Sequence, residues 1–289
     1  MIDLVPFDLQ RDLRRLLQIA SEARAARSSD FVHPGGLQWL LRRSGQPGFE
    51  VHLIGRDPLA FVVNDSGYVI VTCAPEHASR RLEILALIEE RLRSAGTSLI
   101  ELSVWEDDAD LRDALVARGY GWNGTYGNEL VYDAPAPPAP PALPEGFRFH
   151  ELQRADDDAF VELHRDAWST KGPSPYRREL HDRVTAMPDF DRYLVPVVAA
   201  QDGRFAAYCI GWVDHRSASA EIEPLATRPG FRKLGLGHAV VAELIRRAYA
   251  RGARSVMVWG VNENPQAIGL YTSSGLTTRR ILREMKRPV

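Results

Sequence analysis

Two cations and two glycines stand together where a β-prone run turns into an amphipathic helix. They are Arg232, Lys233, Gly235 and Gly237, within Leu225-Ala-Thr-Arg-Pro-Gly-Phe-Arg-Lys-Leu-Gly-Leu-Gly-His-Ala239. That arrangement suits a diphosphate. Glycines let backbone approach a ligand closely, a helix start offers unpaired N–H donors, and the cations add charge. Gly-rich strand-to-helix connections are also common as plain turns, so the pattern alone leaves both readings open. Two familiar phosphate motifs do not fit. A dinucleotide fingerprint needs Gly or Ala three residues after Gly237, where Val240 stands. A P-loop needs Lys and then Ser or Thr after its last glycine, where His238 and Ala239 stand.

Candidates for proton chemistry flank this loop in sequence. Glu221 and Glu223 are two apart in the run before it, hence on one face of a strand. Neighbouring carboxylates raise one pKa and make a better base, or they bind a cationic substrate without touching its proton. Tyr271 follows Ala267 by four residues on one helix face, and a phenol with a pKa of about 10 stays protonated at neutral pH. The alternative for Tyr271 is a packed aromatic near a helix end. Asn264 before Pro265 is a helix start in its own right. The eight histidines show no metal-ligand spacing, and no Ser-His-Asp or Cys-His pattern stands out, so no metal is expected.

The elements that must position these residues are legible. After the loop, Leu236, Val240, Leu244 and Ala248 share a helix face with Val241 and Ile245 beside them. Arg246, Arg247 and Arg251 are expected to point outward near the helix C-terminus, and Gly252 suits a left-handed cap. Residues 255–261 read as a central strand because they are apolar nearly throughout.

Arg232-x-x-Gly235-x-Gly237, after Glu221-Ile-Glu-Pro-Leu-Ala-Thr227, resembles the acetyl-CoA motif of the GNAT N-acetyltransferase superfamily. Asn262-x-Asn264-Pro-x-Ala267-x-x-Leu-Tyr271-x-x-x-Gly275-Leu resembles that family's second motif, and the match covers roughly residues 146–289. The resemblance implies an α/β (α+β) fold, each copy a mixed, mostly antiparallel central sheet with flanking helices. It implies acetyl-CoA as the acyl donor. The backbone of Leu225, Ala226 and Thr227 is then expected to pair with the pantetheine arm where two strands diverge. Arg232, Lys233, Leu234, Gly235, Leu236, Gly237 and His238 would hold the pyrophosphate, with Asn264 reaching the cofactor from the next helix. Tyr271 would protonate the departing thiolate. Glu221 matches a general base of some members and ranks ahead of Glu223. The acceptor is expected to be an amine-bearing small molecule, its pocket shaped by residues 164–193 with Trp168, Lys171, Tyr176, His181 and Asp189 to Asp191. A non-catalytic acyl-CoA sensor or scaffold, and protein or mycothiol-type acetylation, stay open as alternatives.

Composition agrees. The 289 residues allow one large or two ordinary domains, with 45% apolar and 26% charged residues. A net charge of −2 gives no electrostatic reason for a nucleic-acid or anionic-membrane partner. Cys73 and Cys209 sit in apolar runs and are expected as buried thiols of a cytoplasmic monomer or homodimer. Residues 134–145 hold six prolines, so an extended spacer is expected between a domain at 1–133 and one at 146–289. A shift of 156 residues superposes landmarks across that spacer: Gly96 on Gly252, Gly119 on Gly275, and strand on strand. The same shift puts Glu76, Ser79 and Arg81 where Arg232, Gly235 and Gly237 stand, and Leu115 where Tyr271 stands. The N-terminal copy is therefore expected to fold alike without holding acetyl-CoA in the standard way.

Overall fold

The computed structural model describes residues 3–26, 31–55, 60–169 and 172–288. In chain order the elements are β1 (Leu4–Pro6), α1 (Leu9–Ala25), α2 (Pro34–Leu41), β2 (Phe49–Ile54), β3 (Ala60–Asp65), β4 (Tyr68–Cys73), α3 (Arg81–Ser94), β5 (Leu99–Trp105), α4 (Ala109–Ala117) and β6 (Gly121–Tyr132). They continue with β7 (Phe147–Glu151), α5 (Asp157–Trp168), α6 (Arg178–Thr185), β8 (Pro196–Ala200), β9 (Phe205–Asp214), β10 (Ser219–Thr227), α7 (Leu236–Ala250), β11 (Ser255–Val261), α8 (Pro265–Ser273) and β12 (Thr277–Pro288). By contact the chain forms two compact units, one of residues 1–37, 43–129 and 279–289, the other of 38–42 and 130–278. From sequence the boundary falls at 134–145; by contact the units interleave along the chain, residues 279–289 being counted with the first and residues 38–42 with the second.

In the first unit β1 to β4 form an antiparallel meander, and β5 joins β4 in parallel. The C-terminal β12 then runs antiparallel to β5, from Leu282 opposite Trp105 to Pro288 opposite Leu99. α1 begins at Asp8, whose carboxylate accepts the Gln10 and Arg11 N–H groups, the expected satisfaction of a helix start. Val62, Ile84, Ile88, Ile100 and Met285 lie at the centre of this unit's core.

In the second unit β7 to β10 form another antiparallel meander, with β11 parallel to β10. β9 is buried along all but its last residue, which explains its unbroken apolar run. α7 lies on it with Leu236, Val240, Leu244 and Ala248 each 1% exposed or less. Each fully buried Leu or Val of this kind contributes about 1.5–3 kcal/mol. A Cβ on Gly211 would come within 2.4 Å of Leu244 Cδ1, so α7 reaches the strand at its observed distance only over glycine. One expectation is corrected. Arg247 does not point outward: it is 3% exposed and pairs with Glu243 at 2.9 Å and Glu151 at 2.7 Å, which offset the cost of burying its charge. Cys73 and Cys209 are buried free thiols.

The repeat is sharper in structure than in sequence, and shorter. β11, α8 and β12 each begin and end 156 residues after β5, α4 and β6. Upstream α7 still ends 156 residues after α3, and Leu225–Thr227 of β10 lies 156 residues after Val69–Val71 of β4, but β8 and β9 do not lie 156 residues after β2 and β3. Residues 134–145 form no helix or strand, as their prolines dictate. They are nonetheless fastened to the second unit. Tyr249 Oη donates to the Ala134 carbonyl at 2.7 Å, Arg246 Nη1 to the Pro138 carbonyl at 3.3 Å, and Leu143 packs on the core.

Candidate functional site

The site is built where β10 and β11 part. Their parallel ladder runs through Ser219–Ser255, Ala220–Val256 and Glu221–Met257 and, among the described residues, continues no further. On its other side β10 remains paired with β9, but the register shifts between Ile222 and Leu225. Pro224 lies in that irregularity, where a residue without an N–H costs the ladder least. Beyond it Leu225, Ala226 and Thr227 stand opposite Cys209, Tyr208 and Ala207 of β9. The splayed side of β10 can therefore meet an extended ligand with backbone donors and acceptors.

Past Thr227 the chain makes a short 3-10 turn at Pro229–Phe231 and enters the loop. Lys233 and Gly235 both take left-handed backbone, with φ of 63° and 78°. Gly235 caps α7, and no side chain satisfies the first N–H groups of that helix. Successive N–H groups in such a turn, at the start of a 15-residue helix, form a concave anion site. A Cβ on Gly237 would sit 3.2 Å from Leu270 Cδ2 and 3.6 Å from Thr227 Oγ1, so the missing side chain keeps this approach open. Leu236 turns its side chain into the core, while Lys233, Leu234 and His238 are exposed. His238 Nδ1 lies 2.9 Å from Ser274 Oγ. Arg232 is exposed, yet its guanidinium works on the protein's own backbone, donating through Nε to the Thr227 carbonyl and through Nη2 to the Ala167 carbonyl, each at 3.1 Å. It braces the loop against β10 and α5 while keeping a positive charge there. Beside the loop is a groove of about 520 Å³ whose walls include Gly235, His238, Ser274 and the linker residues Pro138 and Ala142. That volume lies within the range of small-molecule sites.

The proton-handling candidates converge. Tyr271, on α8, is 6% exposed, and burial above all raises its pKa, the Glu223 carboxylate adding to the effect. It stays a neutral donor. Burial likewise pushes Glu223 up to about 8, reinforced by Glu221 and opposed by the Arg42 guanidinium. Trp212 Nε1 donates to the Glu223 carbonyl at 2.7 Å and fixes the backbone there. Glu221 is 2% exposed and Glu223 is half-buried, so Glu221 at least is not part of a bare strand edge. Asn264 accepts the Ala267 N–H through Oδ1 at 3.2 Å, the capping role that its place before Pro265 implies.

Residues 164–193 divide into wall and scaffold. His164, Trp168 and Tyr176 form an aromatic wall with Tyr208 of β9: His164 Nδ1 is 2.5 Å from Tyr208 Oη, and Trp168 Nε1 donates to that oxygen at 3.3 Å. Burial drives the His164 pKa down to about 3, so its imidazole is neutral. His181 is scaffold, fully buried between Asp157 and the Tyr176 hydroxyl. Asp189 is scaffold too, accepting from Gln38 Nε2 at 2.7 Å while its N–H donates to Gln38 Oε1. Asp191 pairs with Arg251 at 2.8 Å. Lys171 lies outside the described residues. What the sequence did not signal is the segment Gln38–Arg42. Trp39 lies 5.7 Å from the His164 ring and 5.8 Å from the Tyr176 ring, and Arg42 stacks 3.8 Å over Trp39. A Trp in the apolar run Pro34–Leu41 reads as ordinary core, and nothing in its spacing ties it to a site 125 residues away in His164.

The first unit holds the positional counterpart of this cleft. There β4 and β5 share one registered pair, Tyr68 with Glu101. The space beyond is a cavity of about 30 Å³, walled by Val69, Val71, Leu102, Val104 and Leu115 with Arg81 at its edge. That is room for a few waters at most. Among the described residues no group of three His, Cys, Asp or Glu could hold a metal, and no helix is long and apolar enough to cross a membrane.

Comparison with known proteins finds relatives of this geometry. The model of the acetyltransferase (GNAT) family matches residues 157–276. An uncharacterized N-acetyltransferase of Methanocaldococcus jannaschii is 26% identical over 149 residues, 50% of this chain and 66% of the relative. The mycothiol acetyltransferase of Clavibacter michiganensis is 30% identical over 131 residues, 45% of this chain but only 42% of that protein. Among solved structures, a GCN5-related N-acetyltransferase from Sphaerobacter thermophilus aligns over 99% of this chain and 95% of its own, with TM-score 0.63 and 18% identity. A tandem GNAT protein from the clavulanic acid biosynthesis pathway aligns over 100% and 98%, with TM-score 0.66 and 13% identity. At such identities these two establish the fold. The family match spans β10, the glycine loop, α7, β11 and α8, so residues 157–276 are similar to an acetyltransferase (GNAT) domain.

Proposed function

We propose that the protein transfers an acetyl group from acetyl-CoA to a primary amine of a small molecule, by direct attack within a ternary complex. The observation that carries this is the electrostatic coupling of the buried Tyr271 phenol to the Glu223 carboxylate, beside the place where β10 and β11 separate, with an uncapped, left-handed anion loop at the far end of β10. The residues fit acetyl-CoA. The backbone of Leu225, Ala226 and Thr227 receives the pantetheine arm. The N–H groups from Lys233 to His238 receive the pyrophosphate, with Arg232 holding the loop in place, and Asn264 borders the arm from the start of α8. The groove beside Pro138 and Ala142 leaves room for the rest of the carrier.

Each group then has one task. Glu223 takes a proton from the acceptor's ammonium; with a pKa near 8 it is a better matched base than an ordinary carboxylate. The freed amine attacks the thioester carbonyl, a C–N bond forms, and the C–S bond breaks. As the C–S bond breaks the nitrogen sheds its second proton to solvent, the departing thiolate takes the Tyr271 phenolic proton, and solvent exchange restores Tyr271 and deprotonates Glu223, so one proton is released overall. Glu221 acts through Glu223 by raising its pKa, which reverses the order in which the family resemblance ranks them. Similarity to a mycothiol acetyltransferase over 131 residues supports the reaction class and leaves the acceptor to be found. A screen of primary amines with acetyl-CoA, following thiol release, tests the proposal. Binding of acetyl-CoA with no thiol released for any amine leaves a sensor or scaffold instead.

A further inference from the structure

The proline-rich segment is fastened along its length, which a plain connector does not need. Extended proline-rich chain makes no hydrogen bonds of its own, so its carbonyls are open to outside donors. Three alternate carbonyls receive one. Tyr249 Oη donates to that of Ala134 at 2.7 Å, Tyr132 Oη to that of Ala136 at 2.9 Å, and Arg246 Nη1 to that of Pro138 at 3.3 Å. The rings of Tyr132 and Tyr249 meet edge to face, their centroids 6.0 Å apart. All of these residues belong to the second unit. Held in this way, Pro138, Pro141 and Ala142 wall the groove of about 520 Å³, whose other walls are Gly235, the first turns of α7 and the end of α8. Ser274 Oγ donates to the Leu270 carbonyl at 2.8 Å and lies 2.9 Å from His238 Nδ1, which ties the end of α8 to the start of α7.

We infer that the proline-rich segment is part of the donor site. The nucleotide end of the acyl carrier lies in this groove, its base against Pro138, Pro141 and Ala142, so that the protein selects a nucleotide thioester over a shorter phosphopantetheine thioester. This rests on the acetyl-transfer reading for the identity of the donor, and adds to it a wall and a selectivity. The choice of occupant follows from the walls. Gly235 and His238 belong both to the loop assigned to the diphosphate and to the groove, so whatever is joined to that diphosphate lies at the groove's mouth. Among the described residues the walls include no Asp or Glu, and nothing there would hold the ammonium of an acceptor. They include no Lys or Arg either, so a bare anion gains little. Proline rings, alanine methyls and the Tyr132 ring offer apolar contact to a flat base, with serine hydroxyls beside them for a sugar. Proline also suits a binding wall because its ring fixes φ: the segment is ordered before the ligand arrives and has little conformational entropy left to lose.

The test is calorimetry on the full-length protein with coenzyme A, with adenosine 3′,5′-bisphosphate as its nucleotide end, and with 4′-phosphopantetheine as its thiol end. Two variants alter the wall while leaving the loop and the reacting groups in place. Ala142→Phe fills the groove from an exposed position, and Arg246→Met releases the Pro138 carbonyl. The unaltered protein is expected to bind the bisphosphate measurably, and coenzyme A at least tenfold more tightly than phosphopantetheine. Each variant should weaken coenzyme A and the bisphosphate by fivefold or more and leave phosphopantetheine where it was. Equal weakening of all three ligands overturns the inference, because the segment then only supports the fold. So does undiminished binding of coenzyme A in both variants. If no amine is acetylated, the same titrations still decide: bisphosphate binding weakened by Ala142→Phe upholds the groove and sinks only the transfer reaction, whereas no binding of coenzyme A by the unaltered protein sinks both. Should Arg246→Met fail to fold by circular dichroism, Ala142→Phe carries the comparison.

Discussion

Replacing Glu223 with Gln tests the base and the energetics of its site together. Burial and Glu221 move the Glu223 pKa from 4.5 to about 8. For an acid, a folded-state pKa above the unfolded value means that folding favours the protonated form. The contribution to stability is full below pH 4.5, declines as the unfolded chain alone ionises, and is exhausted above pH 8. At about 1.36 kcal/mol per pH unit, the span corresponds to roughly 5 kcal/mol lost between those limits. Glu223→Gln, which cannot ionise, is therefore expected to be a few kcal/mol more stable than the unaltered protein at pH 9 and to lose that advantage at pH 4.5. Its activity moves the other way. The unaltered protein should show kcat/KM rising toward an acid limb at about pH 8, and removal of a positioned base costs roughly 10²- to 10⁴-fold. Denaturant titrations at pH 5 and 9, with kcat/KM from pH 6 to 10 for both proteins, supply the measurements. An acid limb near pH 4.5, or equal destabilisation at both pH values, would show that the carboxylate is not held in a dry site. Full activity of Glu223→Gln would remove it as the base.

Three further outcomes follow from the same geometry. Tyr271→Phe should lower kcat by roughly 10²-fold or more with acetyl-CoA affinity unchanged by calorimetry, because the phenol is needed only as the thiolate departs; unchanged kcat removes it as the acid. Arg232→Glu should abolish measurable acetyl-CoA binding, since it replaces the brace to Thr227 and Ala167 with a like charge beside the pyrophosphate, while Glu76→Ala should bind normally. Calorimetry should give one acetyl-CoA per chain, because the counterpart cleft in the first unit has room for a few waters at most; two equal sites would contradict this.

Much was legible in the sequence where local chemistry decides. The turn from β10 into α7 is set by Gly235, whose left-handed backbone other residues rarely adopt, and by the apolar spacing of Leu236, Val240 and Leu244. β11 runs over the seven residues its composition marks out, and Pro265 after Asn264 starts α8 where such a pair must. The repeat was readable for the same reason: from β5 onward the two copies share element lengths, which local signals encode. Arg247 was misjudged because periodicity gives its helix face but not the carboxylates of Glu151 and Glu243 that draw it inward.

The sequence by itself determined the pieces of the site: a strand, a glycine loop, an uncapped helix, a neutral phenol and two carboxylates. Only the tertiary structure decided which of them lie together. Spacing puts Glu221 and Glu223 on equal terms; the distortion at Ile222–Leu225 and the dense surroundings of Glu223 separate them. Nothing local could bring Trp39 and Arg42 to His164, or fasten the proline-rich stretch beside the anion loop, since contacts between residues more than a hundred positions apart are made by packing. The desolvation that gives a carboxylate a pKa near 8 belongs to that packing, and no sequence window contains it.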